Sequence, residues 1–147
     1  DGQLGVLDFG CTRQLSAHFR ADWANSWKAY LAVGAAEHDR ACALLSSYKD
    51  LGLAAPQADP GTFAQTLMPA LSPMLHWATE PFAVEVFDFS KKCPPPRTDA
   101  AQQRVLGPFI AQVPAEMPAF DRAWLGLMHM LTRIGGRVVT SNPWIHP

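Results

Sequence analysis

The chain has 147 residues, 48% of them hydrophobic and 17% charged, with 12 Lys and Arg set against 13 Asp and Glu for a formal charge of -1. That length and apolar content give one globular domain, residues 1–147, burying roughly two thirds of the surface its unfolded form would expose, and they exclude a disordered polypeptide. Scattered and balanced charges leave no basic stripe for a run of phosphates, which excludes nucleic acid, and no apolar run nears the roughly 20 residues of a transmembrane helix.

The charged fraction lies below the roughly 25% of an average soluble domain, so apolar surface must be buried internally or against a partner. No signal peptide opens the chain. The cysteines Cys11, Cys42 and Cys93 lie far apart without a Cys-x-x-Cys pair, and the histidines are dispersed. This spacing gives no structural metal site and fits a reduced, cytoplasmic setting.

In chain order, Gln3 to Leu7 is short and apolar, which predicts a strand leading into a loop. From Ser16 the period changes. Ser16 caps a predicted helix in which Phe19, Trp23, Trp27 and Leu31 recur every four residues, with Gly34 at its C-terminal end. Asp39 is the predicted cap of a second helix, with Leu44, Leu45 and Tyr48 inward, ending near Gly52 and packing against the first as a hairpin. Asp59-Pro60 then opens a helix through Phe63, Leu67, Leu71 and Leu75, which Pro69 and Pro73 should kink or divide.

Phe82 to Phe89 alternates like a strand, although no partner for it is evident, and Lys91-Lys92-Cys93-Pro94-Pro95-Pro96 forces an extended loop after it. A fourth helix is predicted from Asp99 to about Val113, interrupted at Gly107-Pro108. From Pro118 the residues Phe120, Trp124, Leu127, Leu131 and Ile134 repeat at spacings of four and three, which predicts a helix with one buried stripe, ended by Gly135-Gly136. The expected fold is mainly α-helical with a small β element at its start.

The tripeptide Asp8-Phe9-Gly10 carries the candidate chemistry. An aspartate at a strand end offers hard carboxylate oxygen to a divalent cation while leaving coordination positions for phosphate and water. The plain alternative is a turn aspartate closing the strand. Read in context, Asp1 to Cys11 followed by Leu15-Ser16 and a long helix resembles the region after the catalytic loop in the AarF/UbiB atypical kinase family. Similarity extends through Asp39, the Leu51-Gly52 break, Pro81-Phe82 and the closing run from Phe120 to Val139 before Asn142-Pro143-Trp144.

That resemblance implies the helical C-terminal lobe of a protein-kinase-like fold, in a family tied to ubiquinone and isoprenoid-lipid metabolism. It implies Asp8 as the ligand of Mg2+ bridging the phosphates of ATP, and Phe9 and Gly10 as the hinge of its loop. The family's Lys-x-Gly-Gln motif, nucleotide-binding loop, ion-paired lysine and catalytic-loop residues would all precede Asp1, so this portion alone should not catalyse phosphoryl transfer. A missing N-terminal lobe and self-association are the implied partners, with an isoprenoid lipid or quinone as the implied small-molecule partner and peripheral membrane contact as a consequence. The competing class is a non-catalytic helical interaction module or a lipid-binding bundle.

Other residues have two readings each. Cys11 reads as a packed, inert thiol, since only Arg13 is positively charged nearby. Trp23 and Trp27 line either a lipid groove or, as an aromatic stripe at helical spacing more often does, the core. His129, between Met128 and Met130, reads as a hydrogen-bonded structural histidine rather than a general base, and Asp121-Arg122 as an intramolecular ion pair rather than an anion site. Lys91-Lys92 could touch an anionic surface but supplies only about 2 kcal/mol toward it.

Overall fold

The computed structural model describes residues 13–32 and 34–141, and the predicted strand Gln3 to Leu7, the residues Asp8, Phe9, Gly10 and Cys11, and Asn142 to Trp144 lie outside them. Ser16 opens α1 (Ala17–Leu31) as predicted: it sits in extended backbone and its hydroxyl oxygen accepts from the Phe19 N–H at 3.1 Å. α2 (Glu37–Asp50) begins two residues before the expected cap. Its N-cap is Ala36, and Asp39 joins Glu37 inside the first turn, where both carboxylates meet the positive end of the helix dipole. The two helices pack closely on each other.

Asp59 accepts from the Thr62 N–H at 2.7 Å and Pro60 takes the first helical position of α3 (Pro60–Thr62). The backbone then widens into a π turn over Phe63–Leu67, closed by a bond from the Met68 N–H to the Phe63 carbonyl, before α4 (Met68–Thr79). The division thus falls just ahead of Pro69. With no N–H to offer the Gln65 carbonyl and a ring that crowds it, Pro69 favours the wider turn, whereas Pro73 is accommodated within α4.

The predicted strand Phe82 to Phe89 is cut to β1 (Val86–Asp88) by 3-10 turns at Glu80–Ala83 and Phe89–Lys91. Its partner is β2 (Arg137–Val139), antiparallel, with Val86 opposite Val139, Phe87 opposite Val138 and Asp88 opposite Arg137. Gly135 and Gly136, at φ +70° and +101°, make the turn that delivers β2 after the last helix. Among the described residues the sheet therefore pairs a mid-chain strand with one close to the last described residue.

Asp99 forms a full capping box with Gln102 and opens α5 (Ala100–Leu106), which stops well short of Val113. A 3-10 turn at Gly107–Phe109 follows, and the chain then runs extended, with the Ala111 N–H bonded to the Leu53 carbonyl at 2.8 Å. The last helix, α6 (Met117–Ile134), matches its predicted span.

Three buried clusters hold these elements. Ala41, Leu44, Leu45, Ala54, Phe63, Leu67 and Met68 form the largest, between α2 and the α3–α4 segment. Phe19, Leu51 and Leu53 form the second, and Trp77, Phe89 and Met128 the third, beneath α6. The predicted buried stripe of α6 is only partly buried: Met128 is enclosed and Phe120, Trp124 and Leu131 are half-buried, but Leu127 is 42% and Ile134 69% exposed.

Candidate functional site

The candidate site residues of the sequence, Asp8, Phe9 and Gly10, lie outside the described residues, which begin at Arg13. Immediately after it, the Ser16 N–H donates to the Glu116 carboxylate at 3.1 Å, tying the start of α1 to the start of α6. Hydrogen bonding by Ser16, side chain and backbone, holds Glu116 below the usual carboxylate range, with Arg13 and His18 adding a favourable field. Among the described residues no group of three His, Cys, Asp or Glu side chains is placed to hold a metal ion.

Behind this junction the aromatic residues of α1 and α6 interlock. The Trp27 ring lies 4.9 Å from Trp124, 5.2 Å from Phe82 and 6.2 Å from Phe120, centroid to centroid, and Trp23 lies 4.9 Å from Phe120. Phe19 stacks on Trp23 at 5.7 Å, and Phe82 on Trp124 at 5.5 Å. Each such pair adds about 0.5–1.5 kcal/mol beyond the area it buries. Trp23 and Trp27 are thus part of the packing. The indole N–H groups of Trp23 and Trp124 are buried without a hydrogen-bond partner among the described residues, which offsets part of that gain.

The lysine pair is split between two environments. Lys91 stays exposed, 3.8 Å from Asp88, whereas Lys92 is 5% exposed and turned inward. Its ammonium donates to the Trp77 carbonyl, pairs with Glu80 at 2.8 Å, and lies over the Trp77 ring at 4.7 Å from the centroid. Only one of the two charges therefore remains for any anionic surface. Nothing in the dipeptide distinguishes the two lysines, because Trp77 and Glu80 meet Lys92 only through the fold.

Two further expectations are corrected. Asp121 and Arg122 do not form an ion pair among the described residues, because neighbours in sequence project from different sides of a helix. Asp121 is half-buried instead, and burial raises its carboxyl above the usual range. His129 is exposed and takes no hydrogen bond among the described residues; it lies at the rim of a groove beside Trp77 and Cys93.

The other flank of α6 is apolar and open. Leu127 and Val139 line one groove of about 390 Å³ with Leu131 and Val138, and Met130 and Ile134 continue the exposed surface along the helix. Val86, paired directly opposite Val139 and so on the same face of the sheet, is exposed as well. No helix among the described residues is long and apolar enough to cross a membrane. No protein-family model, curated protein or solved structure matches the chain.

Proposed function

We propose that this chain is the C-terminal-lobe portion of an AarF/UbiB-type atypical kinase or ATPase, with Asp8 as its metal-binding aspartate and Phe9-Gly10 as the hinge of that loop. The observation that carries this reading is the run Leu4 to Gly10, an apolar segment delivering an aspartate, set directly before a serine-capped helix in a mainly helical body. Magnesium held there would supply electrostatic stabilisation to the phosphates of a bound nucleotide. Asp8 would supply one carboxylate to it. The lysine and catalytic-loop groups that position the phosphates and the nucleophile belong to a preceding lobe, the principal partner of this portion. The apolar flank of α6 supports a further covering partner. A cytoplasmic, membrane-peripheral role in isoprenoid quinone or lipid metabolism follows from the same resemblance.

The test has two parts. The coding sequence upstream of Asp1 should encode a His-x-Asp-x-His-Pro-Gly-Asn-like loop. In the intact protein, Asp8→Asn should lower MgATP turnover by about 100-fold or more, since it removes the metal's anionic anchor. Unchanged turnover, or an unrelated upstream sequence, would sink the proposal. The exposed apolar flank of α6 favours a second reading, a non-catalytic helical interaction module, under which Asp8→Asn alters no nucleotide-dependent property and charge on that flank abolishes association.

A further inference from the structure

A separate feature lies on the opposite flank of α6, where a groove of about 480 Å³ runs between this helix and the loop after Lys92. Trp77, Pro94 and Pro95 form one side; Leu125 and Met128 form the other. The walls present almost nothing that a polar ligand could use. The Trp77 indole N–H is already taken by the Cys93 carbonyl at 2.8 Å, so only its ring faces a ligand, and the prolines have no N–H. An apolar chain is the occupant such walls admit.

The mouth is different. His129 and Arg133 stand one helical turn apart on α6 at the rim, no acidic residue lines the groove, and neither residue is ion-paired among the described residues. A guanidinium presents a planar fork that matches a carboxylate. The site is also held in shape before any ligand arrives. Lys92 clamps Trp77 through its carbonyl and over its ring, and the consecutive prolines stiffen the backbone beside it on the same wall. The volume falls within the range of small-ligand sites.

We propose that this groove binds a single-chain amphiphile through its alkyl tail, with the carboxylate head taken at the mouth by Arg133 and His129.

Isothermal titration of the full chain compares dodecanoate with dodecyltrimethylammonium, which carries the same tail and the opposite charge. Dodecanoate should saturate one site and bind at least about tenfold more tightly. Arg133→Gln should weaken dodecanoate about tenfold and leave the cationic analogue unchanged or slightly improved, while Leu125→Asp should remove saturable dodecanoate binding; both residues are exposed, and circular dichroism verifies that each variant folds. Ile134→Asp, on the other flank, should change nothing. Dodecanoate should also slow maleimide modification of Cys93, read by peptide mass spectrometry with Cys42 as the internal control. Equal affinity for the two amphiphiles, indifference to Arg133→Gln, loss through Ile134→Asp or an unprotected Cys93 would each overturn the proposal.

Discussion

Lys92 shows how one side chain can tie together segments that local sequence does not link. Its stem is buried, and its ammonium is shared between the Trp77 carbonyl and Glu80, so the end of α4 is fastened to the loop that follows β1. Lys92→Met keeps most of the packing and drops the charge, and should cost about 1–2 kcal/mol, whereas Lys92→Ala also loses the stem and should cost about 3–4 kcal/mol. Urea denaturation measures both. The two acids of the α6 start respond to pH in opposite senses. Burial raises Asp121 above its ordinary value of 3.8, so between those values the folded state holds more protons and stability falls as pH rises. Asp121→Asn should therefore stabilise the protein at pH 7, with the gain vanishing once pH drops below that ordinary value. Glu116 is held low by Ser16, so its contribution is present above its ordinary value of 4.5 and is lost as pH falls through the lowered one. Glu116→Gln should accordingly destabilise at pH 7 and be neutral in strong acid, a contrast that denaturation at a series of pH values resolves.

Helix starts were the most legible elements, because a cap is a local event: Ser16, Asp59 and Asp99 each accept from the N–H three residues on, as their neighbours in sequence imply. Asp99→Ala should cost about 1 kcal/mol and fray α5, seen as lost amide-exchange protection at its N-terminus. Helix ends and strands depend on distant groups and were read less well. α5 stops at Leu106 partly because the residues after it bond back to Leu53 and Ala54. β1 needed β2, which in sequence reads only as the tail behind a glycine pair. The π turn could not be placed from the position of Pro69 alone, since its register also lets Phe63, Leu67 and Met68 all face the core. Phe63 is fully enclosed there, with Tyr48 at 6.1 Å and Phe109 at 5.3 Å between ring centroids. Phe63→Ala should cost about 3–5 kcal/mol by denaturant titration, the range for emptying an aromatic core position. The candidate metal ligand Asp8 was legible only as a motif, and lies outside the described residues. The groove beside Cys93 left no signal in the sequence, because Trp77, Pro94 and Arg133 converge only through the fold.

At the scale of the whole molecule, the low charged fraction and the incomplete burial of α6 are one fact seen twice. A stripe at spacings of four and three is what a buried helix face requires, yet Leu127 and Ile134 meet solvent, and Val139 beyond them is 67% exposed. Apolar residues at such positions suit a surface that another polypeptide covers. A second copy of the chain is the cover this surface can test directly, and the expected outcome is concentration-dependent self-association in sedimentation velocity at tens of micromolar and above. An Ile or Val side chain taken out of water contributes about 1–2 kcal/mol, and in a two-fold dimer each position is buried twice. Ile134→Asp combined with Val139→Asp should therefore weaken the dimer by at least about 100-fold and return the chain to a monomer, while the far-ultraviolet spectrum stays that of the parent because neither side chain supports the core. A parent chain that sediments as a clean monomer at high concentration, or a double variant that associates as tightly as the parent, would show that this face is not where copies meet.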